Sequence, residues 1–282
     1  MRTGYKVDFN KIIFMLIFLA SASALAHENS KTVTLVTIGH VSLAGDLSLP
    51  QAKLLAINQA RASAVEQANG VSVSSSTLIR DSILAGSFIE SLSKGYIVEE
   101  TILGWERDWH QPDDTREPPI PILRVRLKAT VELPEKDFLH PYVINAKLNK
   151  SVFKSGEHAT IEITPADDIY LLVANYTASD KVVPIFPNQY AKNNIFTKDS
   201  SAVLPKEDAK FSIELAVEPG SRRHTEAFLV FGFPKDRRTN SVAWLSVFPP
   251  GEALDYDEFH RRIVKLPVAW LAEKVLAYEV YQ

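Results

Sequence analysis

The chain has 282 residues, 31 basic against 34 acidic side chains, a formal net charge of −3 and no cysteine. A near-neutral balance with scattered bases lacks the positive field that phosphate backbones require, so nucleic acid is not an expected partner. Without cysteine there is no disulfide, no thiolate nucleophile and no thiolate metal site, and stability must come from core burial.

Residues 1–26 read as an export leader. Arg2, Lys6 and Lys11 precede the apolar run "IIFMLIFLA", and "SASALA" ends in the small-x-small pattern that a signal peptidase accepts. Cleavage after Ala26 would leave 256 residues with a net charge of −5, since three bases and one acid leave with the segment. Both methionines, Met1 and Met15, leave too. No later stretch is apolar enough to span a membrane, so the expected product is soluble, exported, and at home in a Gram-negative periplasm.

The first element after the leader is a strand, "KTVTLVTIGHVSL" (31–43), alternating and β-branched. A helix follows, with Ser48 as cap, Pro50 in the first turn and Asn69-Gly70 as the stop. Its repeating face of Leu54, Ile57, Ala60, Arg61, Ala64, Val65 and Ala68 is mostly alanine, which lets a helix lie close on a sheet. Residues 71–95 open extended and turn helical, with Leu78, Ile79, Ile83, Leu84, Phe88 and Leu92 on one side. "YIVEETILGWERDW" (96–109) and "IPILRVRLKATVEL" (120–133) are strong strands around a polar, Pro-rich loop.

Residues 134–150, with two prolines near the start, read as a connector. Beyond them the pattern changes to short strands between turns: "HATIEITPA", "DIYLLVANYTA", "KVVPIF", "KFSIELAVEP", "EAFLVFGF" and "SVAWLSVF". That spacing predicts a β-sandwich. "DYDEFHRRIVK" predicts a short helix capped by Asp255, and "KVLAYEVYQ" a last strand. The expected fold class is α+β: a two-helix, antiparallel-sheet domain (31–133), the connector, then an all-β sandwich-like domain (151–282) with a short C-terminal helix.

Two stretches resemble known families. "AINQARASAVEQANGVSVSSST", followed by "SKGYIVEETIL" and "LRVRLKATVEL", resembles the N-terminal domain of flagellar assembly protein T and related secreted lipoprotein-20 type modules. "SVFKSGEHATIEITPADDIYLLVANYTASDKVVPIFPNQYAKNN", then "LPKEDAKFSIELAVEPG" and "EAFLVFGF", resembles the exported family called domain of unknown function 4384. The residues carrying the second likeness are Gly156, Asp168 to Leu171, Phe186-Pro187-Asn188 and Leu204-Pro205. It implies a small β-rich module with no assigned reaction.

Enzyme signatures are missing. There is no G-x-S-x-G, H-E-x-x-H, Gly-rich phosphate loop or C-x-x-C, and the acidic pairs Asp113-Asp114 and Asp167-Asp168 and the trio Asp255, Asp257 and Glu258 read as solvated or capping groups. Two stretches are binding candidates. In "VVPIFPNQYAKNN" (182–194), Phe186, Asn188, Gln189 and Tyr190 form either a recognition edge or a turn in which Phe186 and Tyr190 clamp the sheet and Asn188 folds onto the backbone. In "GWERDWH", Trp105 and Trp109 are four apart, hence on one face of a strand.

The sequence therefore points to a non-catalytic, exported protein-interaction component of a cell-envelope or flagellar-type assembly, with an envelope protein as partner and no cofactor. Alternatives are a periplasmic module binding a peptide or glycan near Asn188 and Tyr190, and a copper enzyme using His27 as its new N-terminus. The copper reading needs a second ligand, and nothing in the sequence pairs His27 with His40, His110, His140, His158, His224 or His260.

Overall fold

The computed structural model describes residues 31–43, 47–70, 95–111, 116, 118–133, 143–266 and 272–282. Lys31–Gln282 forms one compact unit. The export leader, residues 71–94 of the helical reading and residues 112–115 and 117 of the 110–119 loop lie outside the described residues, as do His27 and His140.

The N-terminal part is a three-stranded antiparallel sheet of order β1-β3-β2, made by β1 (Lys31–Ser42), β2 (Tyr96–His110) and β3 (Ile120–Leu133). Val125, Leu127, Ala129 and Val131 of β3 are fully buried beneath α1 (Leu49–Ala68). The helix begins where its caps require. Ser48 is extended, its backbone N–H donates to Gln51 Oε1 (3.0 Å), and Gln51 N–H donates back to Ser48 Oγ (3.4 Å), a closed capping box. Asn69 caps the other end, and Gly70 follows at φ +79°, a backbone suited to glycine.

Alanine on the helix and glycine on the strand allow close approach. A Cβ at Gly39 of β1 would lie 1.8 Å from the Ala56 carbonyl oxygen, and the Thr37 hydroxyl donates to the Ala60 carbonyl at 2.8 Å. The expected small-residue face is thus where β1 and α1 meet.

The C-terminal part is β-rich. Its main sheet runs β14-β9-β8-β13-β15-β5, with β10 also on β8. These strands are β5 (Val152–Lys154), β8 (Ile169–Tyr176), β9 (Lys181–Phe186), β10 (Ile195–Phe196), β13 (Arg223–Pro234), β14 (Leu254–Asp255) and β15 (Ala272–Tyr281). A second sheet holds β4 (Ile144–Leu148), β7 (Ile161–Pro165) and β11 (Ala202–Leu204), while β6 (Glu157–Ala159) pairs with β12 (Ile213–Leu215). One face of the main sheet buries Leu171, Val173, Phe228 and Val230 against Ile144, Ile161 and Ile163 of the second sheet. Its other face puts Leu172, Ala174, Leu229 and Phe231 into a core shared with α1, the first sheet, α2 (Trp244–Val247) and α3 (Tyr256–Val264).

Three local expectations need correction. "SVAWLSVF" is not a strand but a 3-10 turn (Thr239–Ser241) leading into α2, where Trp244 stacks on Tyr170 (5.7 Å) and packs on Phe233 (5.0 Å). Its run of apolar residues serves one aromatic cluster rather than two sheet faces. The later part of the expected connector is β4, paired in register with β7 from Ile144↔Pro165 to Leu148↔Ile161. Asp255 occupies the helix N-cap position without capping. Its carboxylate accepts from Lys181 Nζ at 2.5 Å, and the first turn is stabilised by Asp257 and Glu258 instead.

Candidate functional site

The 182–194 segment is built as a turn. Phe186 is buried and packs edge-on against Phe196 at 6.1 Å, and the Phe186–Pro187 peptide is cis. Asn188 is buried, and its side chain bonds only within the segment: Nδ2 donates to the Ile185 carbonyl (3.1 Å), while Oδ1 accepts from the N–H groups of Tyr190 and Ala191 (2.9 Å each). Asn194 is likewise buried, donating to the Leu171 carbonyl at 3.0 Å. The expected clamp is only half present. Tyr190 is 60% exposed and Gln189 is exposed, so Phe186 alone anchors the turn. An amide in Asn188's position leaves little for a ligand, because its acceptor oxygen already takes two N–H groups.

Trp105 and Trp109 share a face of β2, opposite Val125 and Pro121 of β3. Trp105 is partly buried on the core, with the Lys53 ammonium of α1 5.3 Å from its ring. Trp109 lies 67% exposed beyond the helix, near the hairpin end of β2. Ile102 and Leu103, on the same strand, are also exposed. Strands β2 and β3 are long and continuously paired, apart from register shifts at Ile97/Glu99 and Ile102/Gly104.

The densest polar constellation centres on Arg61, which in the sequence shows only as one position of a helical face. Arg61 is fully buried and forks onto two carboxylates from distant elements. Its Nε and Nη2 donate to Glu100 of β2 (2.9 and 2.5 Å); Nη1 and Nη2 donate to Asp180 (2.6 and 3.0 Å). Nη1 also reaches Asn58 Oδ1 (3.0 Å) and the Tyr176 hydroxyl (3.2 Å), and the guanidinium lies 4.1 Å from the centre of the Tyr256 ring. Burial works against the charge, but Asp180 and Glu100 outweigh it and hold the Arg61 pKa well above its usual value. Asp180 reaches this position from the β8–β9 turn at φ +62°, a left-handed conformation that Asp tolerates better than most residues.

Close by, burial dominates. His260 of α3 is fully buried against Tyr256 and Tyr96 (ring centroids 4.3 and 5.7 Å). Its Nδ1 bonds the Tyr256 carbonyl oxygen at 2.9 Å, and burial lowers its pKa to about 4. Both carboxylate oxygens of Glu273 are buried with no hydrogen-bond partner among the described residues, and burial pushes its pKa up to about 8. At neutral pH these are a neutral imidazole and a protonated acid. On the opposite face of the main sheet, Glu226 accepts from Asn175 Nδ2, the Tyr278 hydroxyl (2.7 Å each) and Ala178 N–H (3.2 Å). His224 Nε2 lies 3.3 Å from the same carboxylate. Burial would raise the Glu226 pKa, yet His224, Asn175, Tyr278 and Ala178 together hold it lowered.

Arg61, Glu100, Asp180 and Glu226 are thus held by protein groups, whereas the Glu273 carboxyl has no such partner among the described residues. The described residues contain no cluster of three or more metal-capable side chains. An open groove between β2, β3 and α3 is lined by Val98, Glu99, Glu132, Arg261, Val264 and Lys265, but its Arg261 is already held by Asp257 (2.9 Å) and Glu258 (2.7 Å). The signal that would have exposed the Arg61 centre is the arginine itself: a charge at a core spacing of α1 demands buried acids elsewhere.

Residues 152–225 match the family model described as a domain of unknown function (DUF4384). No curated protein matches the chain. The DUF4384 match starts at the first residue of β5 and ends near the start of β13, so it includes Asp180, the Asn188 turn and the cis Leu204–Pro205 peptide. Arg61, Glu100, His260 and Glu273 lie outside it.

Proposed function

We propose that this is a non-catalytic exported protein-recognition component of a cell-envelope assembly, and that its contact surface is the exposed end of the β2–β3 hairpin around Trp109. The observation that carries this reading is an indole 67% exposed on a firmly paired strand, with Ile102 and Leu103 exposed on the same strand. Large apolar side chains on a rigid support lose little entropy on binding and dominate interface energies. The non-catalytic part of the reading is supported by the internal bonding of Arg61, Glu100, Asp180 and Glu226. Export is supported by the leader-like sequence of residues 1–26, and the envelope or flagellar setting by resemblance alone.

The test is a crosslinking pull-down from cells carrying the wild-type chain or Trp109→Ala. The reading predicts discrete partner proteins whose yield falls in the variant. Recovery of the chain always alone would count against it.

A further inference from the structure

The two edges of the first sheet are built differently. The β2 edge carries two register shifts and the charges Glu99, Glu100, Glu106, Arg107 and Asp108, devices that discourage a foreign strand. The β1 edge has neither bulge nor proline, and between Thr32 and Gly39 it has no charged residue. Val36 and Ile38 stand 53% and 54% exposed on it.

Main-chain directions in β1 follow from two bonds. Leu43 N–H donates to the Pro121 carbonyl, so odd-numbered residues bond inward to β3. The N–H of His40 bonds instead to the Gln59 side chain of α1, so even-numbered residues point outward. Gln59 thus closes one end of the edge, and the outward groups of Thr32, Thr34, Val36 and Ile38 meet no strand among the described residues.

We propose that β1 pairs antiparallel with β1 of a second copy of this chain, about a two-fold axis at Leu35, to form a closed six-stranded dimer. This goes beyond the hairpin surface of Trp109 and uses the opposite edge of the sheet. That axis sets Thr34 against Val36 and Thr32 against Ile38, so every outward amide from 32 to 38 finds a partner before the ladder reaches the Gln59 cap. Leu35 meets its own copy on the α1 side. No like charges face one another across the join, since Lys31 stands outside the paired stretch. Arg124, Arg126 and Lys128 sit on the central strand β3, and their copies would be three strand spacings away, about 14 Å, beyond the screening length of physiological salt. Because the β2 edges are protected, pairing through β1 alone ends at two copies rather than growing into a fibre.

The chain has no native cysteine, so one engineered thiol reads the contact directly. Light scattering of the purified full chain at micromolar concentration should give twice the mass of one chain. Leu35→Cys, on the axis, should form a disulfide-linked dimer on mild oxidation, and Thr101→Cys on β2 should not. Val36→Pro, which removes an outward N–H and spares the ladder to β3, should give a monomer, as should Thr34→Lys, which sets two ammoniums diagonally across the axis about 8 Å apart, with circular dichroism unchanged. If Val36→Pro fails to fold, Thr34→Lys still decides. A wild-type chain that stays monomeric, folded variants that stay dimeric, or equal crosslinking from positions 35 and 101 would each overturn the proposal.

Discussion

Arg61 and Asp180 lie 119 residues apart in sequence and meet through two hydrogen bonds, of 2.6 and 3.0 Å, in a space from which Arg61 is closed to solvent. The pair ties α1 to the β8–β9 turn, and Glu100 adds β2 to the same guanidinium. Removing the cation would leave Glu100 and Asp180, 17% and 30% exposed, facing each other without their counter-charge. Arg61→Met should therefore cost about 3–5 kcal/mol, the usual penalty for an orphaned buried charge. Arg61→Lys should recover only part of it, because an ammonium cannot form the double fork. Urea unfolding of the three proteins checks this, and a loss below about 1 kcal/mol for Arg61→Met would show that the centre is not structural.

Gly39 offers a sharper steric case. Gly39→Ala would drive a methyl into the Ala56 carbonyl, 1.8 Å away, and into Ala60 N–H at 2.7 Å, both of them helix backbone. A loss of at least about 3 kcal/mol is expected, at the upper end of overpacking costs. Gly104→Ala on β2 meets nothing within 4 Å and should stay within about 0.5 kcal/mol of wild type. Thermal melts of the two variants distinguish these outcomes.

Glu273 sets a pH dependence of one sign. Its folded pKa of about 8 lies above the ordinary 4.5, so the folded state holds the proton more tightly than the unfolded chain. The stability this supplies is fully present below about pH 4.5 and is lost as pH rises through about 8, at roughly 1.4 kcal/mol per pKa unit. Glu273→Gln should flatten the wild-type decline between pH 5 and 9. Parallel curves for the two proteins, from urea midpoints across that range, would contradict it.

His260 and Glu226 act with the opposite sign. Both have lowered pKa values, His260 to about 4, so each contributes stability at neutral pH that is lost on acidification. For His260 the loss begins below its ordinary 6.5; for Glu226 it begins below 4.5. Removing the imidazole with His260→Phe should thus weaken the decline between pH 6.5 and 4, and Glu226→Gln the decline below it. The same urea series read at acid pH provides the measurement.

Asn188→Ala should cost about 1–3 kcal/mol, because the N–H groups of Tyr190 and Ala191 lose the side-chain acceptor that folds the turn. Gln189→Ala, on an exposed side chain, should cost almost nothing. Chemical denaturation resolves the two, and equal effects would return this segment to the list of recognition loops.

Local signals in the sequence carried far, and non-local ones did not. The Ser48 cap, the Asn69-Gly70 stop and the long strands β2 and β3 depend on neighbours in sequence and were legible. So was the folding of the Asn188 amide onto its own turn, since an Asx turn closes within three residues. The strand expected over "SVAWLSVF" is a helix instead because Trp244 packs on Tyr170 and Phe233, rings brought up by other elements. Tyr190 points to solvent, unlike in the clamp reading, while Phe186 packs on Phe196. The partners of Arg61 were hidden for the same reason: no spacing within α1 names Glu100 or Asp180.

Recognition through Trp109 is tested most directly by a photo-crosslinking amino acid placed at position 109 in the full chain and irradiated in cells. The expected result is one or a few discrete adducts with other envelope proteins, absent when the same group is placed at the buried position 127. No adduct from position 109, or the same adducts from both positions, would contradict the assignment of this hairpin end as a recognition surface.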